Sequence, residues 1–525
     1  VRTTANPGEN HSDIRPASRQ AEPVTSFALR AGTALAASAL GLATLVPPAK
    51  AAPGGIDWGR CESGSPAGYQ CARVPVPLSY RDPDGPRLSL AVGLLPAVDQ
   101  KHKLGTVFAN PGGPGNPGRF APALTPELHQ RFDIVGFDPR GVGASTPLRC
   151  FTDPRQAEEF AGVIGDFPRT TTERARHKAA VARLTGLCER NAGPLGKHLS
   201  TANTARDLDR LRAAIGEPKL RYYGLSYGTY LGEVYANLFP NRAGALALDA
   251  VDDPVNWTSG YRPAQARIPM STRLGGYRDA ERALDSFFTA CAADTRCAFR
   301  GGDLRARYDR ILDRLETGPV TITDPETGAP QRVRYQDAIA RVHEALTDSA
   351  NSPGLAGFLA ALEHPLPERS TARAGVPTPA DSMLGGGATL CADAANPRDP
   401  DVWPRYAAAA DRQARGFGSY DTYKTLPCAT WDVADADRYP GPWNRSTAPI
   451  LLLADRKGDP ETPYAGAERT ARLLGKARLL ALDDFGHGAR GKSRCIDAAL
   501  NAYLSSGTLP ARGTVCRPDR APFDG

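Results

Sequence analysis

Gly224-Leu225-Ser226-Tyr227-Gly228 is a G-x-S-x-G pentapeptide set between two unlike stretches of chain. Leu220 to Tyr223 is short, apolar and Tyr-rich, as a strand is, and Thr229 to Leu238 is compatible with a helix. A sharp turn between strand and helix holds such a serine on a strained backbone with its hydroxyl exposed. Side chains at the flanking glycines would collide with neighbouring elements. A hydroxyl needs a base to attack at neutral pH. Among the eight histidines, His487 lies in Phe485-Gly486-His487-Gly488, a glycine-flanked loop just beyond an apolar run, suited to reaching over a sheet edge. The base in turn needs a carboxylate that fixes its tautomer and stabilises the imidazolium. Asp459, in Gly458-Asp459-Pro460-Glu461-Thr462-Pro463, follows the preceding apolar run. Asp455, closer to the end of that run, competes for the role. Asp483 and Asp484 are nearer to His487 in sequence but are expected on the wrong side of the loop. Acyl transfer also builds negative charge on a carbonyl oxygen, which backbone amides can stabilise. The loop Asn110-Pro111-Gly112-Gly113-Pro114-Gly115 suits that task, with the amides of Gly113 and Tyr227 expected to form the oxyanion hole.

A rival reading overlaps this loop. Gly113-Pro114-Gly115-Asn116-Pro117-Gly118 spells G-x-G-x-x-G, and Asp138 follows about 20 residues on, as in a dinucleotide fingerprint. Pro114 and Pro117 weigh against it, because they remove amides that a phosphate would need and restrict how a helix could start. No H-E-x-x-H, EF-hand or P-loop pattern occurs, so no metal or nucleotide cofactor is implied.

The elements that must position these residues are legible as short apolar runs closed by Gly, Pro or Asp. Leu104 to Ala109, Phe132 to Phe137, Leu220 to Gly224 and Ala245 to Leu248 form one block; Ile450 to Ala454 and Ala477 to Leu482 form another, with a helix from Tyr464 to Leu474 between them. Such runs, alternating with helical stretches, indicate parallel strands of a sheet buried on both faces. From 255 to 445 the texture changes. Helical segments such as Arg278 to Ala290, Leu304 to Leu315 and Gln336 to Thr347 are separated by Gly/Pro-rich loops, among them Gly375 to Gly387. This region is expected to be a mostly helical cap, inserted between core segments 52–254 and 446–525.

Residues 1–51 carry an export pattern: Arg30, an apolar stretch from Ala31 to Val46, then an A-x-A site ending at Ala51. Cleavage is expected after Ala51, giving a secreted protein with no membrane span thereafter. All ten cysteines follow that site and none forms C-x-x-C, which favours disulfides over a zinc or redox motif. Cys291 and Cys297 close a small loop. Cys61 with Cys71, Cys391 with Cys428 and Cys495 with Cys516 are neighbours, leaving Cys150 with Cys188; spacing alone does not fix the connectivity. The net charge of +7 is scattered over 525 residues rather than clustered among aromatics, which argues against a nucleic-acid partner.

Taken together, these segments resemble the tripeptidyl aminopeptidase and proline iminopeptidase group of α/β-hydrolases. The motifs that carry the resemblance are Asn110 to Gly115, Asp138-Pro139-Arg140-Gly141-Val142-Gly143-Ala144-Ser145, Gly224 to Thr229, Gly458-Asp459-Pro460 and Gly486-His487-Gly488. The resemblance runs from about Ile56 to Cys516. It implies an α/β-hydrolase fold, a Ser226–Asp459–His487 triad, and an exopeptidase releasing short peptides, tripeptides foremost, from free N-termini. Such an enzyme needs a carboxylate for the substrate's α-ammonium, and Glu233 and Asp393 are candidates. An esterase or amidase acting on small acyl compounds is the enzyme alternative. A catalytically silent binding protein on the same scaffold is the alternative of another class.

Overall fold

A computed structural model describes residues 55–120, 124–367 and 381–524; the export pattern and its cleavage site lie outside the described residues. Ten strands form one sheet, in the order β1 (Gly59–Arg60), β2 (Gln70–Ser79), β3 (Asp82–Leu95), β5 (Phe132–Phe137), β4 (Gly105–Asn110), β6 (Leu220–Leu225), β7 (Ala243–Asp249), β10 (Ile450–Asp455), β11 (Ala477–Leu482) and β12 (Val515–Cys516). β2 pairs antiparallel with β1 on one side and β3 on the other, and β3 joins β5 antiparallel; from β5 to β12 every pairing is parallel. This is the mostly parallel sheet of an α/β-hydrolase fold.

The apolar runs form strands because both sheet faces are covered. Neighbouring residues point to opposite sides: Phe108, Val135, Leu452 and Ala454 join one core, whereas Val107, Ile134, Leu451 and Leu453 join the other. β1 to β3 are extra strands that the run-based reading does not find. Pro75, Pro77 and Asp82 break their apolar pattern, as edge strands tolerate.

Between β7 and β10 the chain is largely helical, including Gly276–Ala293, Leu304–Thr317, Tyr335–Ala345 and Ser352–Glu363, with one hairpin of β8 (Val320–Thr323) and β9 (Pro330–Val333). These helices have a core of their own, with Phe287, Ile339, Leu359, Trp403 and Phe417 fully or nearly fully buried. Phe485, two residues before His487, belongs to that core as well.

One expectation is corrected. The three glycines read as the end of a loop lie inside the helix Asp381–Asp393. A Cβ on Gly386 would stand 1.9 Å from the Pro114 carbonyl oxygen and 2.8 Å from Gly115 Cα. Helix backbone packs directly on the loop backbone there, which outweighs glycine's poor helix propensity. The cysteines pair as 61–71, 150–188, 291–297, 391–428 and 495–516. Among the described residues, no helix is long and apolar enough to cross a membrane.

Candidate active site

Ser226 is the whole connection between β6 and the helix Tyr227–Leu238. Its backbone sits at φ 56° and ψ −127°, a conformation that costs a non-glycine residue roughly 1–3 kcal/mol and survives only where the surroundings enforce it. The enforcement is visible: Ser226 N donates to the Asp249 carbonyl (2.9 Å), and the Ser226 carbonyl accepts from Thr229 N and Oγ1, both at 2.7 Å. A Cβ on Gly224 would lie 2.3 Å from the Gly228 carbonyl oxygen, so the glycine spacing is a steric requirement.

Asp249, buried at the end of β7, reaches the other side of the site. Its carboxylate accepts from Ala489 N (2.8 Å), Arg490 N (3.0 Å) and the Tyr223 hydroxyl (2.9 Å). One side chain thus ties the loop carrying His487 to the strand pair that carries Ser226.

His487 Nδ1 lies 2.9 and 3.1 Å from the two oxygens of Asp459. Asp459 is fully buried and also accepts from Glu461 N, Thr462 N and the Thr462 hydroxyl, the last at 2.6 Å. A carboxylate on the Nδ1 side keeps the proton there and leaves Nε2 as the basic atom. Burial pulls the His487 pKa down, but the negative charges of Asp459, Glu461 and Asp252 outweigh it and push it up from 6.5 to about 9. Glu461 is held ionised, down at about 2: burial opposes this, and Lys424, at 3.0 Å from both carboxylate oxygens, overcomes it.

The inserted region also holds this loop. His487 N donates to the Thr347 carbonyl at 2.6 Å, and Asp348 bridges to Gly486. The competing acids lie elsewhere. Asp455 is buried without a hydrogen bond, 3.8 Å from Lys492, and burial raises its pKa to about 8. Asp483 pairs with Arg456, and Asp484 accepts from the Ser349 hydroxyl.

The loop from Asn110 borders Ser226, since a Cβ on Gly112 would stand 2.9 Å from Ser226 Cβ. Asn110 Oδ1 takes the Gly112 amide at 2.9 Å. Gly113 is next along the loop, and Tyr227 opens its helix, where first-turn amides have no intrahelical acceptor. The dinucleotide reading finds no support here. Residues 111–120 form turns and open no helix, and Asp138 is a buried staple accepting from Arg119 N and Ala144 N.

Glu233 and Asp393 are both buried. Neither oxygen of Glu233 has a hydrogen-bond partner, and burial, with Asp252 and Asp253 nearby, raises its pKa well above the usual carboxyl value. Asp393 accepts from Thr201 N and Oγ1, and Thr201 Oγ1 also meets the Tyr227 hydroxyl at 2.7 Å. Burial raises Asp393 to about 7. Sequence reasoning did not single out Asp249, Asp252, Glu461 or Thr462 for a role. The last two stand in the motif around Asp459, and Asp249 closes an apolar run, but only the fold reveals what each touches.

Two family models match the chain, one described as alpha/beta hydrolase fold over residues 105–282 and one as TAP-like protein over residues 413–516. The tripeptidyl aminopeptidase of Streptomyces lividans is 32% identical, with 90% of this chain and 89% of that protein aligned. The serine protease Hip1 of Mycobacterium tuberculosis is 30% identical (88% of this chain and 91% of that protein), and carboxylesterase B of the same organism is 30% identical (93% and 96%). With this relatedness along nearly all of the chain, on a mostly parallel sheet with a strained serine turn at its centre, the chain belongs to the tripeptidyl aminopeptidase/Hip1-like family of α/β-hydrolases and is a serine hydrolase.

Proposed function

We propose that this chain is a secreted serine exopeptidase that releases short peptides, tripeptides foremost, from free N-termini. Ser226 Oγ attacks the scissile carbonyl while His487 Nε2 takes its proton; the same proton then passes to the leaving amine. Water, activated by His487, hydrolyses the acyl-enzyme. Asp459 orients the imidazole, and the amides of Gly113 and Tyr227 receive the oxyanion. The observation that carries this reading is the His487–Asp459 contact at 2.9 Å, in a loop tied through Asp249 to the Ser226 turn. The N-terminal export pattern and five disulfides support secretion.

A free ammonium is captured best by an ionised, accessible carboxylate. Glu233 and Asp393 are buried acids held toward their neutral forms, so each would have to ionise on meeting the cation. Glu461, held ionised with its side chain 37% exposed, is a third candidate. Hydrolysis of a chromogenic tripeptide amide, its N-acetylated twin and a p-nitrophenyl ester, with Ser226→Ala as control, tests the whole reading. Cleavage of the free tripeptide and not of its N-acetylated twin is expected. Among the variants Glu233→Gln, Asp393→Asn and Glu461→Gln, the one that holds the ammonium raises KM for the free-amine substrate without raising KM for the ester. Turnover of the ester alone would move the assignment to an esterase, which the carboxylesterase B relative favours. Failure of Ser226 to react with a fluorophosphonate would leave only a binding role.

A further inference from the structure

His198, Asp435 and Asp437, none of which takes part in the serine turn, bring one ligand atom each to within 4.8 Å of one another. His198 follows the short turn Gly193–Lys197 and precedes the helix Thr201–Ile215. The two aspartates lie in the stretch that leads from the inserted region back toward β10. Asp435 is 4% exposed and the Asp437 side chain 7% exposed, so this is not a solvated acidic surface.

Their polar partners define what is missing. Asp435 Oδ2 accepts from Ser200 N (2.9 Å) and Asn203 Nδ2 (3.0 Å), and Oδ1 accepts from Asp437 N (2.8 Å). These donors are neutral, and among the described residues Asp435 forms no ion pair with a lysine or arginine. Asp437 uses Oδ1 for the Arg81 guanidinium, which leaves its other oxygen. The Arg140 guanidinium, which donates to the His198 carbonyl, also feels the charge of Asp435, but its own ion pair is with Asp207. His198 Nδ1 is a buried atom with no hydrogen-bond partner, and so is the hydroxyl of Ser200, a fully buried residue whose amide holds Asp435. Orphaned buried polar atoms are costly and rare, and two of them beside a pair of buried carboxylates need an explanation.

The geometry points to a divalent transition-metal site, of the zinc class, with His198 Nδ1, Asp435 and Asp437 as ligands. Imidazole nitrogen with carboxylate oxygens suits zinc, whose bonds to both are about 2.1 Å, so inward side-chain shifts of about 1 Å complete the site. Calcium, which asks for six to eight oxygens, is poorly served by this set. The hydrogen bonds from Ser200, Asn203 and Arg81 would act as the outer shell that fixes ligand orientation. His198 is only partly buried, which gives the ion a way in and water a remaining coordination position. Bound there, the ion cross-links the returning end of the insertion to the entry of the helix Thr201–Ile215.

The test uses the full chain without a polyhistidine tag, stripped with EDTA and titrated with zinc chloride, with calcium chloride in parallel. Calorimetry and elemental analysis should give one zinc per chain and a rise in Tm, and calcium should give neither. His198→Ala should weaken zinc binding by at least about 100-fold, more than loss of an outer-shell partner costs, while the metal-free variant melts near the metal-free parent. Zinc-edge absorption of the parent chain covers a variant that fails to fold, and should show a nitrogen/oxygen shell with one imidazole. No zinc bound by the parent, equal binding by His198→Ala, or a shell of several histidines would overturn the site. Calcium binding in place of zinc would overturn its cation class.

Discussion

At the scale of single residues, the charge around His487 decides how the site titrates. As the proposed general base, His487 would work in its neutral form, and it is held up at about 9 by Asp459, Glu461 and Asp252 against burial. For a substrate without a titrating amine, kcat/KM should therefore climb with pH and level off above about 9. The same raised pKa makes a contribution to stability that is complete below 6.5 and is lost as pH rises through about 9, so Tm should fall across that window. Asp459→Asn removes the largest of the raising charges: the acid limb moves to lower pH, and kcat drops by about 10⁴ because the tautomer is no longer fixed. Asp455→Asn is expected to leave turnover near that of the parent, because Asp455 makes no hydrogen bond to the imidazole; a loss equal to that of Asp459→Asn would reverse the two roles. The contrast also marks the limit of reading residues alone. Both aspartates follow the same apolar run, and Asp459 meets the ring because the turn from Gly458 to Thr462 carries it there under hydrogen bonds from Glu461 N and Thr462.

Among the elements, the parallel strands were legible and the glycine helix was not, for one physical reason. β4 to β7, β10 and β11 are buried on both faces, so burial writes itself into composition as unbroken apolar runs. The helix Asp381–Asp393 owes its place to a close backbone approach, and what that leaves in the sequence is Gly385-Gly386-Gly387, which local propensity assigns to a loop. The two forces can be separated by substitution. Gly386→Ala would drive a methyl into the Pro114 carbonyl, 1.9 Å away, and displace the loop proposed to supply an oxyanion amide. A fall in kcat by about 10²–10³, the effect of losing one oxyanion donor, is expected in steady-state assays. Gly387→Ala meets only the Trp431 ring at 3.6 Å, an ordinary contact. It should keep full activity and gain up to about 1 kcal/mol of helix stability, read as Tm. Equal activity in the two variants would remove the helix from the site's support.

For the molecule as a whole, the disulfides reinforce the elements unequally. Cys391–Cys428 closes 37 residues and fastens the glycine helix to the helix Pro427–Thr430, whereas Cys291–Cys297 closes only 6. Removing the first by paired Cys→Ser changes should cost about 2–4 kcal/mol, about 1.5 kcal/mol more than removing the second, as measured by denaturant unfolding. The arrangement of the chain also bears on its synthesis. Ser226 and both strands that brace it are complete by Asp249, yet Asp459 and His487 come more than two hundred residues later, in a loop that the insertion must first be folded to hold through Thr347. A nascent or truncated chain that stops short of His487 therefore carries Ser226 with no base beside it. The order of segments along the polypeptide acts as a delay: a hydrolase in the making has little chemistry to offer its surroundings until its last quarter has emerged.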